Sequence, residues 1–170
     1  MSGEKDENIC ESHDNKILFY LRDRHQFGFL SNFYKSPFEL DHQNWPTVEH
    51  FYVASKSRNS EYRFLIRNAV TPHQAKRLGD DSHKSKQSLF RQGFKLRSDW
   101  QEVKLDVMKV AVHAKFHQNP TLQKLLVATA AHLLVEDSAD GFWGIGRHGS
   151  GKNWLGKTLM STRSMLAGNH

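Results

Sequence analysis

The sequence predicts a mostly α fold with a small β element, an α+β domain, on three observations. Apolar residues recur at helical spacing in six segments, several of them opened by a capping residue. Few stretches read as strands, and strands do not alternate with helices as a parallel α/β sheet requires. The chain has 170 residues, which suits one domain and lets it bury roughly 70% of the surface its unfolded form exposes.

Residues 1–16 carry Glu4, Asp6, Glu7, Glu11 and Asp14 against two lysines, with only Met1, Ile9 and Cys10 apolar. They are expected to form a flexible acidic tail, leaving 17–170 as the domain. The short apolar run Ile17 to Leu21 and the alternating Phe38-Glu39-Leu40 before Asp41 predict a small hairpin or edge sheet near the N-terminus. Thr47 can cap a helix whose Val48, Phe51, Tyr52 and Ser55 share one face. Tyr62, Leu65, Ile66 and Ala69 repeat that spacing before Thr71-Pro72 ends the run.

Thr71 opens a third helix, with Pro72 at its first position, Gln74 closing a capping box and Gly79 as its stop. The longest helix should begin at Ser98 or Asp99, with Gln101 or Glu102 closing a box, and run through Trp100, Val103, Val107, Ala111 and Ala114 to about Phe116. Asn119-Pro120 starts another, bearing Leu122, Leu125 and Leu126. Leu133 to Val135 reads as a short strand, and Leu155, Leu159, Thr162 and Leu166 mark a last helix.

The formal net charge is +6, and setting aside the −3 of residues 1–16 leaves +9 on 17–170. Positive charge is densest between Lys76 and Arg97, where seven Lys or Arg face two Asp. An anionic partner fits that balance; so does a solvated basic loop. A single cysteine excludes an internal disulfide and a cysteine-based zinc site. The histidines form no ligand pattern, and His113 with His117 lacks the glutamate of a metalloprotease motif, so neither metal nor cofactor is expected. No apolar run approaches a membrane span, and residues 1–16 are unlike a signal peptide. An intracellular protein, cytoplasmic or nuclear, is expected, acting as a monomer away from membranes.

Gly144-Ile145-Gly146-Arg147-His148-Gly149 matches the dinucleotide fingerprint literally, and Gly146 to Lys152 nearly spells a P-loop. Neither meaning holds. Asn153 stands where a P-loop needs Ser or Thr, and the chain after Gly149 is too short for a dinucleotide fold. What survives is a glycine loop leading into the last helix, whose free N–H groups would attract phosphate with help from Lys152 and Arg147. Glu49 near a helix start reads as ordinary helix chemistry or as a functional carboxylate. Lys56, seven residues on, returns to nearly the same face, although a snorkelling surface lysine is the plainer reading. Asp140-Gly141 reads first as a turn, and Trp100 as core or as a stacking plate for a base.

Phe29-Leu30-Ser31-Asn32-Phe33-Tyr34, Trp45-Pro46-Thr47-Val48-Glu49-His50-Phe51-Tyr52 with Ala54 and Lys56, Trp100 through Met108 to Lys115-Phe116, Leu134-Val135-Glu136, Asp140 to Gly146, Gly151-Lys152-Asn153, Leu155-Gly156 and Leu159-Met160 together resemble the NADAR (YbiA-like) family. The resemblance spans roughly residues 17 to 166, and the order of separate motifs makes it specific. It implies an N-glycosidase that cleaves the bond between ribose and an exocyclic amine. Its substrates would be ADP-ribosylated guanine in nucleic acid, with ADP-ribose as product, or ribosylamino-pyrimidine phosphates of riboflavin synthesis. A module that binds ADP-ribose without catalysis is the further alternative.

By motif, the resemblance implies catalytic roles for Glu49, Lys56, Trp100 and Asp140. It implies substrate contacts from Asn32, Phe33, Tyr52, Trp143, Gly144, Gly146, Lys152 and Asn153. The family's Leu-Gly motif is often followed by arginine, whereas Leu78-Gly79 here precedes Asp80, and the basic stretch from Asp81 to Arg97 is longer than in compact bacterial members.

Overall fold

A computed structural model describes residues 15–20 and 26–168. The expected acidic tail falls mostly outside them, although Lys16 is the first residue of a strand. In chain order the elements are β1 (Lys16–Phe19), β2 (Phe38–Leu40), β3 (Gln43–Trp45), α1 (Val48–Ala54), α2 (Ser60–Arg67), α3 (Pro72–Leu78), α4 (Trp100–His117), α5 (Pro120–Ala128), β4 (Leu133–Glu136) and α6 (Trp154–Ala167). Short 3-10 turns at Gly28–Leu30 and Leu89–Gln92 complete the described residues. The mostly helical α+β expectation holds.

The expected N-terminal sheet divides in two. β2 and β3 form the local antiparallel hairpin, with Asp41 and His42 at positive φ in its turn. β1 instead pairs in parallel with β4, Ile17 opposite Leu134 and Phe19 opposite Glu136, across more than a hundred residues of chain.

Local capping explains the early helices. The Thr47 hydroxyl accepts the His50 N–H, and the Thr71 hydroxyl accepts that of Gln74. Gln74 Oε1 reaches back to the Val70 N–H rather than to Thr71, so the box closes one residue early. His50 Nε2 lies 3.0 Å from the Ala69 carbonyl and Nδ1 2.8 Å from the Thr47 hydroxyl. That network assigns the proton to Nε2 and ties α1 to the entry of α3. Gly79 ends α3 at an ordinary φ of −97°. Glycine is required there by contact, because a Cβ would strike Val53.

The expected box at the start of α4 is absent. Asp99 flanks the helix, but its carboxylate accepts from Arg97 and Arg58 instead of capping. α4 is the central helix, packed against α1, α5, α6 and β2. Its inward row Met108, Ala111, Val112 and Lys115 follows the i, i+3, i+4, i+7 spacing and is buried, lysine included. Leu126 of α5, Leu134 of β4 and Leu155 and Leu159 of α6 complete that side of the core. Each such side chain contributes roughly 1.5–3 kcal/mol by leaving water. Tyr62 and Ile66 seat α2, and Trp45 of β3 packs edge-on against Phe51 of α1 with its indole N–H on the Leu40 carbonyl. Among the described residues no helix is long and apolar enough to cross a membrane.

Candidate active site

Glu49 lies in the first turn of α1, and its side chain is buried. Its N–H donates to the Asn32 carbonyl, which fixes α1 against the 29–34 segment. That segment is in turn held by Lys115, whose ammonium donates to the carbonyls of Phe29 at 2.6 Å and Ser31 at 2.9 Å. The Asn32 amide nitrogen points at Met108 Sδ, and its Oδ1 is buried without a partner among the described residues. Phe33 stands edge-on to His73 and beneath the Lys76 ammonium, 5.7 Å from the ring centre.

Burial holds the Glu49 carboxyl above the ordinary carboxylate range, Lys76 and Lys56 pull it back, and Asp140 adds to the rise. The charges that act on this carboxyl thus come from Lys76 on α3, from Lys56 just past α1 and from an aspartate 91 positions on in the chain. Lys56 donates to the Gly79 carbonyl at 2.9 Å and to Asp81 Oδ1 at 3.0 Å. Its side chain is largely covered and paired with a part-exposed aspartate, unlike the snorkelling surface lysine that spacing alone suggests.

Three aromatic rings wall the site. Tyr52, three residues beyond Glu49 and so nearly one helical turn on, lies 5.1 Å from Trp100 and 5.4 Å from Trp143, ring centre to ring centre. Burial, then the Glu49 charge, pushes the Tyr52 phenol far up, so it stays a neutral donor. Trp100 is only 2% exposed, which makes it the backing of Tyr52 rather than an open stacking plate. Asp140 is exposed, and its Oδ1 accepts the N–H groups of Phe142 and Trp143. The turn reading of Asp140 holds, and the turn that its carboxylate caps brings Trp143 to Tyr52.

The glycine loop behaves differently from expectation. The N–H groups that should be free at the start of α6 are taken, Trp154 by the Phe142 carbonyl and Leu155 by that of Trp143. Lys152 and Asn153 likewise donate to Gly141 and Gly144. The first two N–H groups of α6 are therefore not free for a phosphate, because the loop folds back on itself. Asn153, at a φ of +50°, spends its side chain on β4: Oδ1 accepts the Glu136 N–H and Nδ2 donates to the Leu134 carbonyl. These two bonds tie the loop to β4. Gly144 admits no Cβ because Ser138 and the Glu136 carbonyl press on it, and Gly146 takes a φ of +68°. Lys152 is exposed and lies over the Phe142 ring, as does Lys104.

A model of the NADAR domain matches residues 18–167. The chain belongs to the NADAR family. The N-glycosidase YbiA of Escherichia coli is 41% identical over 155 residues, 91% of this chain and 90% of that protein. The Zea mays protein named riboflavin biosynthesis protein PYRR, chloroplastic, is 36% identical over 168 residues, 92% of this chain but 26% of the maize protein. The NMR structure of Escherichia coli YbiA superposes with a TM-score of 0.76 at 40% identity, covering 91% of this chain and 86% of that one.

Within this NADAR domain Asn32, Phe33, Glu49, Tyr52, Lys56, Trp100, Asp140 and Trp143 converge. Two further residues join them. Lys76 acts on Glu49 from α3, and Glu136 at the end of β4 is pushed up to about 7 by burial, then by Asp140 and Glu49. The period-two alternation of a strand carries a signal for Glu136, since Leu134 points inward and residue 136 must follow it. Lys76 is masked in the sequence by the basic run that it begins.

Proposed function

We propose that this NADAR domain is an N-glycosidase that hydrolyses the bond between ribose C1 and an exocyclic amine, acting on ADP-ribosylated guanine in nucleic acid. The observation that carries this reading is a buried carboxyl group, Glu49, set among Lys56, Lys76 and Asp140 beside an aromatic wall. Relatives named N-glycosidases support the reaction class. Breaking a ribose C–N bond builds positive charge on the sugar, which an anionic Glu49 stabilises. The amine leaves well only when protonated, and Glu49, held above the ordinary range, can bring that proton. Tyr52 and Trp143, with Trp100 backing Tyr52, present an apolar surface to a flat base and keep bulk water from the sugar.

An alternative course on the same site opens the ribose to an imine and exchanges Lys56 onto C1 as a Schiff base. The Asp81 carboxylate at 3.0 Å is placed to take the Lys56 proton that this course must first remove.

The charge of the domain favours a polymeric anion. Lys84, Lys86, Arg91 and Lys95 are exposed. An open groove lined by Arg58, Lys95 and Arg97 adjoins the Lys56 turn, whose carbonyl accepts the Arg97 N–H. A second reading, hydrolysis of ribosylamino-pyrimidine phosphates, is favoured by relatives named for riboflavin biosynthesis. Incubation with a guanine-ADP-ribosylated oligonucleotide and, separately, with the ribosylamino-pyrimidine phosphate tests both. Release of ADP-ribose supports the first, release of ribose phosphate the second, and release of neither refutes the glycosidase reading.

A further inference from the structure

Lys115 is a cation in the core with no carboxylate beside it. It lies on the inward row of α4, is 1% exposed, and forms no ion pair among the described residues. Taking a charge out of water is costly unless hydrogen bonds replace its hydration, and an apolar side chain of similar size is often no less stable there. Packing alone therefore does not call for a lysine. What the ammonium does instead is donate to two main-chain carbonyls, Phe29 at 2.6 Å and Ser31 at 2.9 Å. The rings of Phe116 and Tyr34 lie beside it, 4.9 Å and 5.6 Å away at their centres.

Phe29, Leu30 and Ser31 are buried in a single 3-10 turn and its cap, where main-chain groups must find partners outside the turn. The Ser31 carbonyl also accepts the Tyr34 N–H, whereas Lys115 is the partner of the Phe29 carbonyl. Asn32, the next residue, passes the hold to α1. Its carbonyl accepts the Glu49 N–H at 3.1 Å, one of the donors that a helix cannot satisfy within its own first turn. The local cap serves the neighbour instead, since the Thr47 hydroxyl takes the His50 N–H. The Glu49 main chain is thus fixed from outside its own helix. The Asn32 side chain is held by the same face of α4, its Nδ2 lying 3.4 Å from the sulfur of Met108, seven residues before Lys115.

We propose that Lys115 is a positioning residue: acting through residues 29–32, it sets the start of α1 and with it the Glu49 carboxyl group. It touches no substrate and moves no proton. A reacting group misplaced by about 1 Å costs on the order of 10²-fold in rate, so a distant anchor of this kind matters to turnover. Only that kinetic consequence rests on the glycosidase reading; the hold on α1 is a property of the unliganded protein.

The test is hydrogen exchange of the Glu49 amide, followed by NMR in the full chain for wild type, Lys115→Met and Lys115→Arg. Methionine fills the space but donates no hydrogen bond, so the Glu49 N–H should exchange about tenfold faster or more, while the amides of the buried Leu126 and Leu159 keep their wild-type rates. Arginine retains a cation and its donors, and Lys115→Arg should stay nearer to wild type than Lys115→Met. Unchanged exchange at Glu49, equal acceleration at all three amides, or equal effects of the two substitutions overturns the hold whatever the substrate is. Should a variant not fold, the wild type decides: in mildly acidic solution the isotope-labelled Lys115 ammonium should exchange its protons slowly, and exchange as fast as that of exposed lysines overturns the hold. In turnover, Lys115→Met should lower kcat about 10–10²-fold with KM little changed. An unchanged kcat overturns the kinetic part. A wild type inactive on both candidate substrates refutes the glycosidase reading and leaves the exchange result standing.

Discussion

Lys56 shows how a residue's meaning is set by what the fold brings to it. Its spacing from Glu49 suggests a shared helix face, but the residue lies past the end of α1 and is closed by the Gly79 carbonyl and Asp81. If the imine course operates, borohydride added during turnover leaves a reduced sugar on Lys56, detectable by mass spectrometry of the peptide. An adduct that never forms, with activity kept in Lys56→Ala, leaves direct hydrolysis. Lys115 supplies a second test at this scale. Burial pushes its ammonium down to about 7 from the ordinary 10.5, so the unfolded chain binds more protons between those values. Folded stability should therefore gain from this group as pH rises from about 7 toward the ordinary lysine range, and denaturation of Lys115→Met across that window should lack the gain. The sequence pattern, drawn through Trp100, Val103, Val107, Ala111 and Ala114, did not reveal Lys115, yet Lys115 is the residue that anchors the Asn32 segment.

At the scale of elements, helix ends written in adjacent residues were readable and pairings written across the chain were not. Thr47, Thr71 and Pro72 act within one turn of themselves, so the starts of α1 and α3 follow from spacing. Asp99 had the right type at the right place, but Arg97 and Arg58 compete for its carboxylate, a tertiary outcome that no local pattern states. The partnership of β1 with β4 is equally remote, and with it the inward aim of Glu136. The glycine loop was read as an anion cradle because its composition suits one; the N–H groups from Gly151 to Leu155 are instead bonded to carbonyls of residues 141–145. Asn153 is the clasp between that loop and β4. Asn153→Ala removes bonds to two main-chain groups, and chemical denaturation should show a loss of about 1–3 kcal/mol. A change below the error of the measurement would deny the clasp.

For the whole molecule, the uneven charge makes a prediction that the small-molecule reading does not. Reversing the exposed Lys84, Lys86 and Lys95 to glutamate should weaken kcat/KM for an ADP-ribosylated oligonucleotide and flatten its salt dependence. Turnover of ADP-ribosylated guanosine, which has no polymer backbone, should be unchanged. Equal effects on the two substrates would remove the basic surface from the account. The proposed chemistry is centred on Glu49, which Lys56, Lys76 and Asp140 influence and whose neighbour Tyr52 packs against Trp100 of α4 and Trp143. The most direct measurement is therefore single-turnover release of ADP-ribose from ADP-ribosylated guanosine by wild type and by Glu49→Gln, with folding of both checked by circular dichroism. The expected result is release by wild type and a fall of about 10²–10⁴-fold in the variant. A folded Glu49→Gln protein that releases ADP-ribose as fast as wild type would contradict it.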